Sequence, residues 1–493
     1  MKRTFPLARW CAKPELRGIA ALWCLATVLF ILPHAAEDSW DFQAYVLNGE
    51  YWFAGGSYFE PLRPPLMPFV LGLLDALTGR VFAEYGFIAL ASVLFAAATV
   101  LLARALGFRP VLFYALSLNI TVFSFGLING TELLTFAFLE LALAGVLQGG
   151  PAGLYLGLAA LSRYTLIGYL PMLLLCAKPK KILLNVLLFG LVLLPWLVYN
   201  FITYGNMFLS IADHYAMNIY FREYLVAPMQ ARHFVEVANL LLPLALIGLM
   251  SRLRAIVAFQ GRWQKHRATF ALLFITIMTV FIYATTSVKD ARYLFLLFLP
   301  VAAWAYDGIR WCFGRKKKAV ALFIGVMLIM NSVFAVQRAG QQESTDGLYL
   351  QAIADLRGAG YGNCSTASNG WVPLTYHGLL AQDAPRKELL SATLAKGELV
   401  ILFPHIGEPD YARDSDFLSQ FPAIARNEQY AILGTGCILP HANDAPYIWK
   451  LANATFAMHG YRTEDRPCRL LFKSRVLARL CENINMQSQV VMP

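Results

Sequence analysis

Glu37-Asp38-Ser39-Trp40-Asp41-Phe42-Gln43-Ala44-Tyr45 follows directly on the first apolar run of the chain, 18–33. The polar stretch continues through Gly55-Gly56 to Phe59-Glu60-Pro61-Leu62-Arg63-Pro64-Pro65. Three carboxylates thus stand at the end of a hydrophobic segment, and an arginine guarded by two prolines follows them. Acids at a membrane surface are costly unless they are solvated or used. Whether the run before them spans a bilayer decides the fold.

The composition says that it does. Of the 493 residues 58% are hydrophobic and only 14% charged, where a soluble chain carries about 25% charged residues. Mean hydropathy is +0.53. The apolar residues fall in continuous blocks of about 18 to 25, the length of a bilayer-spanning helix. Continuity rather than alternation excludes a β-barrel. The net charge of +11 is uneven. From Arg338 onward 14 basic residues face 15 acidic ones, which leaves 27 basic and 15 acidic residues ahead of it. Those basic residues cluster in short loops, a positive-inside pattern and not a nucleic-acid footprint.

Lys2, Arg3, Arg9, Lys13 and Arg17 precede the first run, so the N-terminus is expected in the cytoplasm. A cleaved signal peptide ending near His34-Ala35-Ala36 is the alternative. The short run 66–77 reads as a juxtamembrane or partly re-entrant helix. Arg104 and Arg109 belong inside, and only one span, 82–103, fits after the outer loop. The order then alternates through 111–127, 133–147, a tight pair 152–161 and 167–176, then 182–202, 234–250, 270–286, 293–306 and 319–336. That predicts about eleven spans with the tail outside. Residues 1–337 form the membrane module, with 34–81 as its outer loop and juxtamembrane helices. Residues 338–493 form an extracytoplasmic α/β domain, with a helix at Asp346–Gly358 and a buried strand within 397–404. Cys364, Cys437, Cys468 and Cys481 lie in this tail and allow one or two disulfides, in three pairings, or free thiols. Asn119, Asn129, Asn363 and Asn453 carry the N-x-Ser/Thr pattern, which is common by chance.

Within the outer loop, Asp38 is suited to cap a helix starting at Ser39, with Asp41 at the positive end of its dipole. Asp41 and Tyr45, four apart, share a face, and Gly55-Gly56 ends the helix. The expected topology puts Asp41, Arg63, Glu132, Arg163, Lys289 and Arg292 all on the outer side.

Several motifs then line up. Asp41-x-x-x-Tyr45 followed by Tyr58-Phe59-Glu60-Pro61-Leu62-Arg63-Pro64-Pro65-Leu66 resembles the first outer loop of the GT-C glycosyltransferases. The nearest branch is the polyprenyl-phosphate-sugar enzymes, which include protein O-mannosyltransferases and lipid A aminoarabinose transferases. In order come Asn129-Gly130-Thr131-Glu132, then Gly157-Leu158-Ala159-Ala160-Leu161-Ser162-Arg163-Tyr164. Pro195-Trp196-Leu197-Val198-Tyr199-Asn200 with Gly205-Asn206, and Ala291-Arg292-Tyr293-Leu294 before Leu299-Pro300, complete the series. Each is similar to a segment of that family, and together they cover residues 38–300; the tail carries no such match.

The resemblance implies an inverting transferase in which Asp41 is the catalytic carboxylate and Glu132 the second acid. Arg63, which stands where lysine is usual, with Arg163, Lys289 and Arg292, would hold the lipid phosphate, flanked by Tyr45 and Asp38. The residues support this chemistry on their own terms. A carboxylate takes the acceptor's proton, and cations offset charge on the departing phosphate. Snorkelling or a salt bridge to Asp290 or Glu132 is the plainer use of these arginines. Some relatives hold a divalent metal between an outer-loop acid and a histidine, which makes Glu60 and His214 a candidate pair. No nucleotide is implied, since there is no glycine-rich phosphate loop. The expected partners are a polyprenyl-phosphate-linked sugar, a glycan, lipid or protein acceptor, and membrane lipid. The expected place is a multi-pass position in the plasma or inner membrane. The rival readings are a transporter or flippase of lipid-linked sugars and a catalytically inactive relative serving as an assembly subunit.

Overall fold

A computed structural model describes residues 14–36, 39–128, 130–219, 228–257, 263–286, 289–314, 316–341, 344–406 and 409–439. Asp38, the cysteines Cys468 and Cys481, and most of the N-terminal basic cluster lie outside the described residues.

The chain is mostly helical, and its longest helices are apolar. Among the described residues seven are long and apolar enough to cross a membrane: Pro14–Ala36, Arg80–Leu106, Pro179–Tyr204, Ala231–Arg254, His266–Thr285, Ala291–Phe313 and the helix that starts at Lys317. That is fewer than the eleven the hydropathy pattern predicts, because several apolar runs break. Run 111–127 divides into Pro110–Ser117 and Ile120–Phe125, where buried Asn119 accepts the Thr121 N–H and caps the second piece. The same burial removes Asn119 from the surface as an N-x-Thr acceptor. Run 133–147 makes a 17-residue helix, Glu132–Gln148. The pair 152–161 and 167–176 is a hairpin of two short segments, Ala152–Ser162 and the 3-10 stretch Tyr164–Leu175.

Asn185 locks that hairpin at its open end. Its carbonyl oxygen accepts the Gly153 N–H, and its amide contacts Cys176 Sγ at 3.7 Å. Lipid-facing surface is explicit on Pro179–Tyr204, where Leu183, Leu187 and Leu191, four apart, are all more than 60% exposed. No hydrophobic force drives such helices together in lipid, so close approach depends on small residues.

The opening stretch folds much as its spacing predicts. Ser39, not Asp38, is the N-cap of helix Trp40–Phe53, accepting the Phe42 N–H at 3.3 Å. The helix ends at Ala54, with Gly55 at φ +69°. Leu66–Thr78 is indeed a short helix of 13 residues. It crosses Trp40–Phe53 backbone to backbone: a Cβ on Gly49 would lie 2.7 Å from Pro68 O, and one on Gly72 would lie 2.5 Å from Gly49 O. Any larger residue there would push Asp41's helix off its support.

The tail builds a small mixed sheet: β1 (Thr366–Ser368), β2 (Ala381–Asp383), β3 (Leu399–Leu402), β4 (Ala423–Arg426) and β5 (Ala431–Leu433). The strand order is β2-β1-β3-β5-β4. β1 runs parallel to β2 and β3, whereas β5 is antiparallel to β3 and β4. β3 is buried at every residue, as a continuous apolar strand between two covered faces must be. Helix Asp346–Gly358 packs Tyr349, Ala352, Ile353 and Leu356 into the core on one face. Cys364 and Cys437 form a disulfide that ties the approach to β1 to the segment after β5.

Candidate active site

Among the described residues of the opening loop, Asp41, Glu60 and Arg63 converge at one end of the bundle. Asp41 Oδ1 accepts from Arg63 Nη1 at 3.0 Å and Asp41 Oδ2 from Arg292 Nη1 at 2.8 Å. Arg292, 251 residues from Asp41 in sequence, thus shares its carboxylate with Arg63. Arg63 is further gripped by Glu60 through its Nε, and its guanidinium lies over the Tyr45 ring, 5.0 Å from the centroid. That contact explains the four-residue spacing of Asp41 and Tyr45, which present acid and ring to the same guanidinium.

A second pair stands beside the first. Arg163 Nη1 donates to Glu132 Oε1 at 3.0 Å. Glu132 is the first residue of its helix, where a carboxylate suits the dipole. Its other oxygen, Oε2, is buried without a hydrogen-bond partner among the described residues. The two pairs meet on one ring: Arg163 and Arg292 lie 5.6 and 5.3 Å from the Tyr293 centroid. Ser39 Oγ also donates to Ile128 O, joining the start of Asp41's helix to the turn before Glu132.

The arginines sit where helices are irregular. Arg163 is the extended residue, φ −158°, between Ala152–Ser162 and the 12-residue 3-10 stretch that follows. Arg292 lies in a second 3-10 stretch, Ala291–Leu297, capped by Asp290 accepting the Arg292 N–H at 2.8 Å. Runs of 3-10 helix longer than a few residues are uncommon and recur at functional breaks.

Electrostatics sort the two carboxylates. Burial opposes ionisation of Asp41, but the guanidiniums of Arg292 and Arg63 outweigh it and hold the carboxyl well below the usual range. Burial pushes the Tyr45 phenol up to about 12. The Asp41 side chain keeps 29% of its surface, whereas that of Glu132 keeps 5%. Asp41 is thus ionised and reachable; Glu132 is enclosed.

Other expected residues fall elsewhere. Lys289 is not part of the cluster, for its ammonium caps the preceding helix by donating to the carbonyls of Tyr283, Ala284 and Thr286. Both Glu60 oxygens are engaged, by Tyr58 and by Arg63, and His214 stands edge-on to the Tyr164 ring at 5.3 Å. Among the described residues no three His, Cys, Asp or Glu side chains gather as a metal site. The Glu60–His214 pair therefore does not fit a divalent ion.

Three supporting residues escaped the sequence reading. Asn48 clamps Glu60 by both backbone groups, accepting from its N–H at 2.8 Å and donating to its carbonyl at 2.9 Å. Tyr58 bonds Glu60 from above, and Trp371 of the tail donates to the Tyr58 hydroxyl at 3.2 Å. Nothing in a single sequence marks such partners. Glu140 is different. Fully buried within an apolar helix, it accepts from Thr99 Oγ1 at 2.8 Å, and a lone acid in a hydrophobic run was a readable signal.

No family model matches the sequence, and no curated protein matches it. Solved structures do. The chain superposes on ArnT from Cupriavidus metallidurans bound to undecaprenyl phosphate with a TM-score of 0.58 and 11% identity, over 85% of this chain and 97% of that one. It superposes on the apo oligosaccharyltransferase of Archaeoglobus fulgidus with a TM-score of 0.56 and 11% identity, over 82% of this chain and 71% of that one. The likeness covers more than four fifths of this chain in both cases, and it shows that this multi-pass membrane protein has a GT-C-like fold.

Proposed function

We propose that this chain is an inverting glycosyltransferase that moves a sugar from a polyprenyl-phosphate donor to an acceptor on the outer face of the membrane. One observation carries the reading: two guanidiniums from distant segments, Arg63 and Arg292, converge on the accessible carboxylate of Asp41. ArnT, which shares the fold, was solved with undecaprenyl phosphate bound. The acceptor is a lipid, glycan or protein of the cell envelope.

In this mechanism Asp41 takes the proton from the acceptor hydroxyl or amine. The acceptor atom then bonds to the anomeric carbon from the face opposite the leaving group. The bond from that carbon to the phosphate oxygen breaks, and its electron pair leaves with the polyprenyl phosphate. Arg63, Arg292 and Arg163 neutralise the charge that develops there. Glu132 holds Arg163 and orients the acceptor through it.

Asp41 between two guanidiniums is a weak base. A donor phosphate at Arg63 and Arg292 competes for the same N–H groups and adds negative charge beside Asp41, which raises its basicity. Donor binding therefore arms the base.

Topology supports an outer site. Lys178, Lys180, Lys181, Arg252 and Arg310 gather at the opposite end of the bundle, which supports reading that end as the cytoplasmic one. The Cys364–Cys437 disulfide fits an oxidising compartment for the tail. The test is transfer by the purified full-length chain in lipid nanodiscs, supplied with polyprenyl-phosphate sugars. The wild type transfers sugar and Asp41→Asn does not; equal rates in both would sink the base assignment.

A further inference from the structure

The tail domain reaches into the candidate site through one side chain. Trp371 donates its indole N–H to the Tyr58 hydroxyl at 3.2 Å, and its ring stands edge-on to Trp40, the neighbour of Asp41, at 4.6 Å. Tyr58 in turn donates to Glu60, Glu60 accepts from Arg63 Nε, and Arg63 donates to Asp41 at 3.0 Å. Chemistry fixes every direction along this chain. An indole N–H only donates, so the Tyr58 oxygen accepts and must spend its single proton on Glu60. A carboxylate only accepts, so Glu60 presents its second oxygen to Arg63. Tyr58 and Glu60 are buried, at 7% and 1% exposure, which makes each bond costly to leave unmade.

Trp371 is itself held firmly. It opens the short helix Trp371–Tyr376, directly after Asn369 and Gly370. Asn369 accepts the Phe403 N–H at 2.8 Å and donates to the Phe403 carbonyl at 2.9 Å, locking the turn to the end of β3. A Cβ on Gly370 would come within 2.9 Å of the Phe403 ring, so the turn packs against the sheet only because that residue is glycine. At the far end of the helix, Tyr376 donates to Glu84 at 2.6 Å, and its carbonyl accepts from Arg80 at 2.6 Å. The helix is thus pinned to the membrane part at both ends.

We infer that Trp371 is a positioning residue for the reaction: through Tyr58 and Glu60 it aims the Arg63 guanidinium at the site shared by Asp41 and the donor phosphate. The inference rests on the transferase reading above. It assigns the tail a part in catalysis that neither the fold nor the motifs do.

The experiment compares wild type, Trp371→Phe, Tyr58→Phe and the double variant in nanodiscs, with Asp41→Asn as control. Trp371→Phe keeps an aromatic ring beside Trp40 and removes the N–H donor together with the pyrrole half of the indole. The expected result is a fall in kcat of about tenfold, the scale of one lost hydrogen bond, with the thermal midpoint lowered by no more than about 4 °C. Tyr58→Phe falls similarly, and the double variant falls no further than the worse single one, as groups in one relay do. Wild-type kcat in Trp371→Phe, or fully multiplicative losses in the double variant, overturns the inference. Hydrogen exchange of the peptide spanning residues 54–65 provides a readout that needs no turnover. Faster exchange in Trp371→Phe supports the relay and unchanged exchange overturns it, even if no donor is turned over by any form. Failure of the transferase reading shows separately, as wild type and Asp41→Asn behaving alike.

Discussion

The two ends of the bundle both carry buried or half-buried ions, but they are wired differently. At the Asp41 end, Arg63 and Arg292 share the Asp41 carboxylate, Asp41 and Glu60 share the Arg63 guanidinium, and Arg292 meets Arg163, the partner of Glu132, over one common ring. At the opposite end Arg252 and Asp307 pair with each other at 2.6 Å, and Arg267 caps the carbonyls of Leu175 and Val146. The second arrangement is closed: each charge has its own partner, and the helix ends are held together. In the first, one reachable carboxylate divides two cations that a second anion could claim. The contrast separates a site from a staple.

Four measurements break or sharpen that contrast. The largest effect is expected at Asp41. Asp41→Asn lowers kcat by about 10³-fold, within the range of a lost general base, whereas Asp307→Asn stays within about twofold of wild type because nothing reactive meets it. Comparable losses in the two variants would erase the distinction between the ends.

Next come the cations. Arg292→Gln and Arg63→Gln each lower kcat/KM for the donor by about 10- to 100-fold, as charge stabilisation of a leaving phosphate is lost. Glu132→Gln falls by about tenfold in kcat with little change in donor KM, since it acts on the acceptor and on Arg163. A rise in donor KM alone for Glu132→Gln would move that residue to the phosphate side.

The pH dependence separates Asp41 before and after donor binding. Its folded carboxyl lies below the usual range. Its ionisation therefore stabilises the fold above the unfolded value of about 3.9 and loses that contribution as pH falls through the folded value. The stability difference between wild type and Asp41→Asn is accordingly flat from pH 8 to pH 5. By the same sign, kcat/KM, which reports the free enzyme, shows no acid limb from Asp41 in that range, whereas kcat shows one at higher pH once the donor anion raises the carboxyl. Coincident acid limbs in the two profiles would refute arming of the base by the donor.

The smallest effect belongs to the staple. Arg252→Gln costs about 1 kcal/mol of stability, in line with a partly exposed ion pair, with transfer unchanged. Chemical denaturation in detergent reads this.

Much of the site was legible because its parts are local or chemically rare. Asp41 and Tyr45 share a helix face by spacing alone. Glu132, Arg163 and Arg292 each stand at an end of an apolar segment, where a charge is conspicuous. Their common side followed from counting spans against basic loops, although only seven of the described helices are long and apolar enough to cross a membrane. Hydropathy cannot see that Asn119 caps a new helix inside one run, or that the second half of the pair 152–161 and 167–176 folds as a 3-10 stretch. The partners of Lys289 and Glu60 were illegible for a related reason. A cation or acid in a loop reads the same whether it faces a ligand or closes a hydrogen bond with its neighbours.

By itself, then, the sequence determined a polytopic helical protein, a polar loop folded as a capped helix, and an acid and an arginine set apart from the bilayer core. These follow from transfer free energy and backbone preference, which act residue by residue. Only the tertiary structure decided that Arg63 and Arg292 meet on Asp41, that Glu132 keeps Arg163, and that a tryptophan of the tail stands behind them. Those are contacts between segments tens to hundreds of residues apart. Their energies depend on how helices cross and where strands end, and no local pattern encodes that.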